Sequence, residues 1–263
     1  MKDFLDVTIL AALQGVAEFL PISSSGHLVI LQHTLDVPES LRMRLEVFLH
    51  AGTLISIFAF YRKRIFELVG GLFEKNPVTR MGAWMYAFKL VVSALPAVAV
   101  YFVFKHDIEV LVTNARMVGA LLMFTGAVLV VTRYLPNGER DVSFLRAFAM
   151  GVGQAIALLP GVSRSGMTLA TARGGRVSPA AAAEFSFLMS APLIMGGTLL
   201  EFLKGEANAG GMHWGVLAWG VILSAVVGYF SLALLLRALK GSWFWLFGPY
   251  CVAAGLATFI LCG

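Results

Sequence analysis

The chain has 263 residues, of which 59% are hydrophobic and only 13% are charged. Soluble domains average about 25% charged residues, so this composition excludes an ordinary soluble domain and indicates an integral membrane protein. The net charge of +5 at neutral pH comes from basic residues scattered between apolar segments. That distribution is typical of loops that set membrane topology. We therefore expect a bilayer environment and no nucleic-acid partner.

Six apolar segments are long enough to cross a hydrocarbon core about 30 Å thick as α-helices. They are residues 45–61, 81–104, 117–131, 180–202, 214–239 and 243–261. Residues 4–20 and 144–159 differ, because each is an apolar stretch that ends at a proline and continues, after Ser and Gly residues, as a second short apolar stretch. In lipid, a broken backbone is tolerated only where protein or a water-filled cavity satisfies it. We therefore predict an all-α integral membrane fold with six transmembrane helices and two re-entrant helical hairpins.

The two breaks resemble each other at an offset of about 140 residues. Four positions carry the same residue in both: Gln14 and Gln154, Ser23 and Ser163, Ser25 and Ser165, Gly26 and Gly166. Each half would hold one hairpin and three spans, so an odd number of crossings inverts the second half. Inverted repeats with interrupted helices place a site at the interface of the halves. We predict one transmembrane domain over residues 1–263, with repeat halves of about 1–135 and 140–263.

Loop charges predict the orientation of the chain. Lys and Arg residues in the connecting loops are about twice as frequent on one side of the predicted bundle as on the other. The positive-inside rule makes the richer side cytoplasmic. Both termini then face outward, the first hairpin enters from outside, and the second enters from the cytoplasm. The tips of the two hairpins can meet near mid-membrane.

The first break carries a carboxylate inside an apolar segment. Gln14 and Glu18 are four residues apart, so they share one helix face. A carboxylate at this depth is costly and marks either a functional site or a paired charge. Glu18 is therefore a candidate for chemistry, with packing against a lysine as the structural alternative.

Serines and a histidine follow in the same break. Ser23, Ser24 and Ser25 precede Gly26 and can cap the next helix, whose free N–H groups and dipole favour an anion. His27 can act as a general acid or base near neutral pH. Taken singly, such serines are usually a turn or cap, and such a histidine is usually structural. Their combination with a buried carboxylate predicts a functional site.

The second break supplies a cation. Arg164 lies between Ser163 and Ser165, with Thr168 one turn later. The planar guanidinium fork suits phosphate oxygens, so this segment predicts a phosphate clamp. The structural alternative is an ion pair with Glu18. Together the two breaks predict phosphoryl chemistry on an anionic group held at the membrane.

Other polar residues in the apolar segments have simpler explanations. Glu46 and Glu184 occupy matching places near the starts of spans, where helix-start electrostatics accounts for them. His50 and Lys89 can line a cavity or snorkel, and we leave them out of the catalytic set. The sequence has no His/Cys cluster with zinc spacing. A hard divalent cation held by Glu18 together with phosphate oxygens suits this chemistry.

The two breaks resemble the signatures of the bacterial undecaprenyl-diphosphatase family, also called bacitracin-resistance proteins. The first signature, Glu/Gln-x-x-x-Glu followed by Phe-Leu-Pro-x-Ser-Ser-x-Gly-His, corresponds to Gln14 through His27. The second, Pro-Gly-x-Ser-Arg-Ser-x-x-Thr, corresponds to Pro160 through Thr168. The resemblance covers essentially the whole chain. It implies hydrolysis of undecaprenyl diphosphate to undecaprenyl phosphate and inorganic phosphate. That reaction recycles the lipid carrier of cell-wall synthesis and confers bacitracin resistance.

The resemblance also implies roles for individual residues. Glu18 would bind Mg²⁺ or Ca²⁺ and orient the diphosphate, Ser24 would be the candidate nucleophile, and His27 the general acid or base. Arg164 would clamp phosphate. Substrate-binding roles would fall to Gln14, Ser23, Ser25, Gly26, Ser163, Ser165 and Thr168. Many members carry a second glutamate at position 14, and an amide cannot supply its negative charge to a metal ion.

The resemblance further implies a multi-pass protein of the bacterial inner membrane, whose active site opens to the periplasm and whose substrate is a polyprenyl diphosphate lipid. The sequence leaves a homodimer open. It also leaves open whether serine forms a phosphoenzyme or histidine activates water. The main alternative function is a lipid-phosphate flippase or anion transporter, because inverted repeats with broken helices are common in transporters. A non-catalytic scaffold would leave the intramembrane charges unexplained.

Overall fold

The computed structural model describes residues 2–35, 37–112, 114–136, 138–203 and 213–261. Within these ranges the regular structure is helical, and β pairing is limited to one isolated bridge between Arg140 and Val177. The α-helices are α1 (Lys2–Ala17), α2 (Ser24–Thr34), α3 (Glu39–Phe60), α4 (Arg62–Leu72), α5 (Pro77–Val112), α6 (Ala115–Val131), α7 (Phe144–Ile156), α8 (Arg164–Gly174), α9 (Pro179–Leu203), α10 (Trp214–Lys240) and α11 (Phe247–Leu261).

Five helices are long and apolar enough to cross a membrane, and they coincide with five of the six predicted spans. They contain Leu41–Phe60, Pro77–Phe104, Ala115–Tyr134, Pro179–Leu200 and Trp214–Lys240. The sixth predicted span, residues 243–261, is a shorter apolar helical segment over Phe244–Ile260. The chain is therefore an all-helical, multi-pass membrane protein. Helix α4 corresponds to none of the predicted spans, because it is short and begins with the basic residues Arg62, Lys63 and Arg64.

Both predicted breaks interrupt helices. The first separates α1 from α2, the second separates α7 from α8, and in each unit the second helix packs back against the first. A proline stands in each break, where its missing N–H and fixed φ prevent the helix from continuing. Gly161 has φ of +93°, and a Cβ there would lie 2.4 Å from the carbonyl oxygen of Val118. Only glycine fits this left-handed turn against α6.

Close contacts between helices surround the two interrupted pairs, α1–α2 and α7–α8. Helices α6 and α11 approach each other through glycines, since a Cβ added to Gly119 would lie 2.7 Å from the Gly255 carbonyl oxygen and one added to Gly126 would lie 2.7 Å from the Gly248 carbonyl oxygen. Helix α10 packs against both α1 and α3. Small residues at helix interfaces permit such approach in membranes, where lipid tails remove the hydrophobic drive for association. The breaks are thus fixed inside a packed bundle.

Candidate functional site

A cavity of about 620 Å³ lies between the two breaks and helices α3, α5 and α9. Part of its lining is polar and comes from the breaks and α3: Glu18, Ser23, Ser24, Ser25, Glu46, His50, Ser163 and Arg164. Another part is apolar and comes from α5 and α9: Ala97, Val98, Phe102, Leu193, Ile194 and Leu200. Phe102 and Leu200 are also exposed, so the cavity is open at this apolar wall. One space therefore offers both a polar and an apolar environment.

Glu18 is at the centre of the polar part. Its side chain is 1% exposed, and its Oε1 atom accepts a hydrogen bond from Nη2 of Arg164. Its Oε2 atom accepts from the Ser24 hydroxyl at 2.8 Å and from Nε2 of Gln14 at 3.0 Å. The ion pair predicted as a structural alternative therefore forms. It joins the two breaks and compensates a charge that would be expensive to bury alone.

The serines of the two breaks form the same hydrogen-bond pattern. The Ser23 hydroxyl accepts from the N–H of Gly26 at 3.4 Å and lies 3.4 Å from the Ser25 hydroxyl. The Ser163 hydroxyl accepts from the N–H of Gly166 at 3.1 Å and lies 3.2 Å from the Ser165 hydroxyl. These contacts cap α2 and α8. Because the first residues of both helices, Ser24 and Arg164, line the cavity, two positive helix ends converge on it and favour an anion.

The other predicted substrate-binding residues support the breaks. The Ser165 hydroxyl donates to the Leu20 carbonyl oxygen at 3.3 Å, which ties the second break to the first. Thr168 is fully buried and shares a 2.6 Å hydrogen bond with Ser186. A Cβ at Gly26 would lie 3.4 Å from Gly161, so the two breaks pack against each other at this point. In the described part of the chain, Gln14, Gly26, Ser165 and Thr168 are not among the residues that line the cavity.

His27 faces α11. Its Nδ1 atom lies 2.9 Å from the Ser23 carbonyl oxygen, which can only accept, so Nδ1 carries the proton. Its Nε2 atom then accepts from the Tyr250 hydroxyl at 2.8 Å, and the two rings stack with centroids 5.6 Å apart. His27 is not among the described residues that line the cavity. The structure thus brings together Glu18, Ser24 and Arg164, with His27 one helical turn away.

A different histidine lines the cavity. His50 lies on α3, where its Nε2 atom is 3.5 Å from Oε2 of Glu18 and its Nδ1 atom is 2.8 Å from the Glu46 carbonyl oxygen. The sequence analysis predicts that His50 can line a cavity, which the structure confirms, but leaves it out of the catalytic set because an intramembrane polar residue can also snorkel. The available signal was the pair of polar residues Glu46 and His50, four apart on one helix face.

Sequence reasoning also missed Thr125 on α6. Its hydroxyl accepts from the N–H of Ser163 at 3.1 Å and lies 3.1 Å from the carbonyl oxygen of Gly161, so it holds the backbone of the second break. A threonine in an apolar segment usually bonds to its own helix, as Thr125 also does with Leu121. No local sequence pattern therefore distinguishes Thr125 from a threonine that bonds only to its own helix.

The donors around the cavity suit a hard cation. In the described ranges, no three His, Cys, Asp or Glu side chains are grouped so that they could hold a metal ion by themselves. Two carboxylates, Glu18 and Glu46, nevertheless line the cavity with the Ser24 hydroxyl. Mg²⁺ and Ca²⁺ prefer oxygen ligands, and Mg²⁺ in particular is often bound by one or two carboxylates plus substrate phosphates. The residues therefore fit an ion shared with an anionic substrate.

Known proteins resemble this chain over its whole length. A family model described as Bacitracin resistance protein BacA matches residues 7–257. The Undecaprenyl-diphosphatase of Christiangramia forsetii is 37% identical over 265 residues, which cover 98% of this chain and 98% of the relative. The Undecaprenyl-diphosphatase of Rhodopirellula baltica is 37% identical over 267 residues, 99% of each chain. That of Methanosphaera stadtmanae is 34% identical, again over 99% of each. The chain belongs to the BacA family of bacitracin resistance proteins.

Proposed function

We propose that this protein hydrolyses undecaprenyl diphosphate to undecaprenyl phosphate and inorganic phosphate. The observation that carries the proposal is the pairing of Glu18 with Arg164, which brings two helix N-termini and the Ser24 hydroxyl to one cavity. The names of the relatives support the same activity. Release of inorganic phosphate recycles the lipid carrier of cell-wall synthesis.

The site binds the diphosphate as an anion. The Arg164 guanidinium and the N–H groups that begin α2 and α8 stabilise the negative charge on the transferred phosphoryl group. In the reaction the bond between the bridging oxygen and the terminal phosphorus breaks, and undecaprenyl phosphate leaves with that oxygen. The nucleophile is either the Ser24 hydroxyl, which forms a phosphoserine that water then hydrolyses, or water itself. Glu18 holds Ser24 and Arg164 in place through its two oxygens.

A histidine acts as the general acid or base and takes the proton of the nucleophile. We assign this role to His27, because it lies one turn after Ser24 on α2. The assignment requires the ring to leave Tyr250 when substrate binds, since Nε2 is engaged by the tyrosine hydroxyl. His50 is the second candidate, because it lines the cavity beside Glu18. Single substitutions of the two histidines separate these assignments.

A Mg²⁺ or Ca²⁺ ion completes the site in this proposal. Glu18 would hold it, Glu46 is a second carboxylate on the same cavity, and substrate oxygens would fill further positions. When bound, the ion neutralises charge on the diphosphate. Gln14 supports Glu18 through a neutral hydrogen bond at 3.0 Å and adds no negative charge.

The prenyl chain occupies the apolar part of the cavity, between α5 and α9. Pro192 and the adjacent glycines Gly196 and Gly197 contribute to this wall. A Cβ added to either glycine would meet no atom within 4 Å, so the wall is open there. Since Phe102 and Leu200 line the cavity and are exposed, we place the lipid entrance at this wall, with the diphosphate reaching Arg164.

The proposed membrane arrangement follows from the breaks. We place the chain in the bacterial inner membrane as one domain, with six crossings that include the shorter segment Phe244–Ile260, two re-entrant hairpins, and inverted halves of about 1–135 and 140–263. The matching hydrogen bonds of the two serine caps support the repeat. Both termini and the opening of the site face the periplasm, as the loop charges indicate. The residues assigned to the site belong to one chain.

Phosphate release from undecaprenyl diphosphate by the purified protein in detergent tests the proposal. We expect release that EDTA stops and that added Mg²⁺ or Ca²⁺ restores, with Lys75→Ala as an exposed control of unchanged activity. Absence of release by folded protein with either ion would reject the hydrolase. A lipid flux assay in sealed vesicles would then test the transporter alternative.

A further inference from the structure

The side chain of Gln154 is buried against the cavity without a hydrogen-bond partner. It lies on α7, is 2% exposed, and belongs to the cavity lining with Leu158 and Arg164. Neither its Nε2 nor its Oε1 atom has a partner among the residues that the structure describes. Buried amides are normally hydrogen-bonded, and an unsatisfied one destabilises the fold. An amide retained at such a position on the wall of a ligand cavity indicates a ligand group as its partner.

The first break has a glutamine at the corresponding position, and its hydrogen bonding differs from that of Gln154. Gln14, at an offset of 140 residues, donates from Nε2 to the Glu18 carboxylate four residues later at 3.0 Å. In the second break the residue four positions after Gln154 is Leu158, whose side chain has no acceptor. The second glutamine therefore keeps its donor without the local carboxylate that the first one uses. Gln154 also lines the cavity, which Gln14 does not do among the described residues.

We propose that Gln154 binds the diphosphate head group of the substrate, with Nε2 donating to a phosphate oxygen beside Arg164. This inference rests on the proposed function and adds a neutral donor to the cationic clamp. Hydrogen bonds to charged groups are stronger than neutral ones, so loss of this donor should lower kcat/KM about 10- to 100-fold. Because the amide atoms are buried in the wall, binding requires the Gln154 side chain to turn towards the cavity that the residue lines.

Gln154→Leu tests the inference, because leucine has a similar size and needs no hydrogen bond. The thermal unfolding midpoint of the purified protein would be measured in detergent with and without inorganic pyrophosphate, beside kcat and KM for undecaprenyl diphosphate. We expect an unchanged or higher midpoint without pyrophosphate, since an unsatisfied buried amide is removed. We also expect a smaller stabilisation by pyrophosphate, a higher KM and a lower kcat/KM.

Ser93→Ala is the matched control. Ser93 is fully buried on α5 at the interface with α7, where a Cβ on Gly151 would lie 2.3 Å from its carbonyl oxygen, and its hydroxyl donates to the Leu90 carbonyl oxygen of its own helix. This variant should retain the pyrophosphate stabilisation and the kcat/KM of the wild type. It measures what loss of an unrelated buried polar group does on the helix that packs against α7.

Two results would overturn the inference. A lower midpoint without pyrophosphate, with undiminished pyrophosphate stabilisation, would make Gln154 a structural residue that bonds inside the protein. Unchanged kcat/KM in Gln154→Leu would also reject the role of Gln154. The proposed function would then still stand, provided that the wild type releases phosphate. If the wild type releases no phosphate, the proposed function fails, and retained pyrophosphate stabilisation in Gln154→Leu would then reject the anion contact separately.

Discussion

The two helix breaks share a backbone scaffold but contribute different chemistry. In each, a serine hydroxyl accepts from the N–H three residues later and contacts the hydroxyl two residues later, as Ser23 and Ser163 both do. The residue next to each of these serines differs. It is Ser24 in the first break, where the hydroxyl donates to Glu18, and Arg164 in the second, where the guanidinium donates to the same carboxylate. A common scaffold thus presents a hydroxyl from one side and a cation from the other.

Other positions extend this division. The first break has Glu18 and His27 where the second, at the same offset, has Leu158 and Met167. The carboxylate and the histidine therefore occur only in the first break, and the arginine only in the second. Neither break holds all the proposed groups, because the first lacks the cation and the second lacks the carboxylate and the histidine. The proposed site therefore forms where the two breaks meet.

Arg164→Ala should have the largest effect, because it removes the cation that the second break contributes. We expect turnover to fall by about three orders of magnitude or more, since the diphosphate loses its clamp and the buried Glu18 loses its compensating charge. Phosphate release from undecaprenyl diphosphate measures it, with Lys75→Ala as control. If lost folding were the whole cause, the unfolding midpoint of Arg164→Ala would fall below the assay temperature, whereas we expect the variant to remain folded and inactive there.

Substitution of the histidines should have the next largest effect. His27→Ala should lower kcat by about 10² to 10⁴, the usual range for loss of a general acid or base. His50→Ala should lower kcat about tenfold, because Glu18 loses the contact of its Oε2 atom with the His50 ring at 3.5 Å. Steady-state kinetics on both variants shows which substitution lowers kcat more. The reverse order would transfer the acid–base role to His50 and leave His27 as a structural partner of Tyr250.

Substitutions of Ser24 and Ser163 should distinguish a role in the reaction from a role in capping a helix. Ser24→Ala should lower kcat at least about a hundredfold, because it removes the candidate nucleophile. It should also lower the unfolding midpoint slightly, because the buried Glu18 carboxylate loses a hydrogen bond. Ser163→Ala should lower stability by about 1 kcal/mol through loss of the α8 cap and change kcat less than about tenfold. Thermal unfolding and kinetics on both variants give the comparison. Equal losses of kcat would contradict the division between the two breaks.

The smallest and most selective effect should come from a position outside both breaks. Gly197→Leu places a side chain in the apolar part of the cavity, so it should raise KM for undecaprenyl diphosphate about tenfold. It should leave hydrolysis of a short prenyl diphosphate unchanged, because the head-group site is untouched. Gly82→Leu is the control, since a Cβ there also meets no atom within 4 Å and Gly82 is not among the described lining residues. A loss of activity on both chain lengths would place Gly197 in the head-group site.

Local sequence patterns predicted most of the secondary structure. Apolar length predicted five helices that can span a membrane, and a proline followed by serines and glycine predicted both breaks. These features depend on neighbouring residues, because helix length and proline geometry are properties of a short segment. Helix α4 was not among the predicted spans, because its three basic residues interrupt the apolar run and the helix is too short to cross a membrane.

The sequence by itself determined the class of protein, the two breaks and the kinds of groups they carry. Only the tertiary structure decided which of those groups meet. Glu18 and Arg164 are 146 residues apart and pair because the breaks pack together. The same packing turns His27 towards Tyr250 and brings His50 and Gln154 to the cavity wall. Whether a polar side chain faces the cavity depends on how whole helices pack against each other, and no local pattern carries that information.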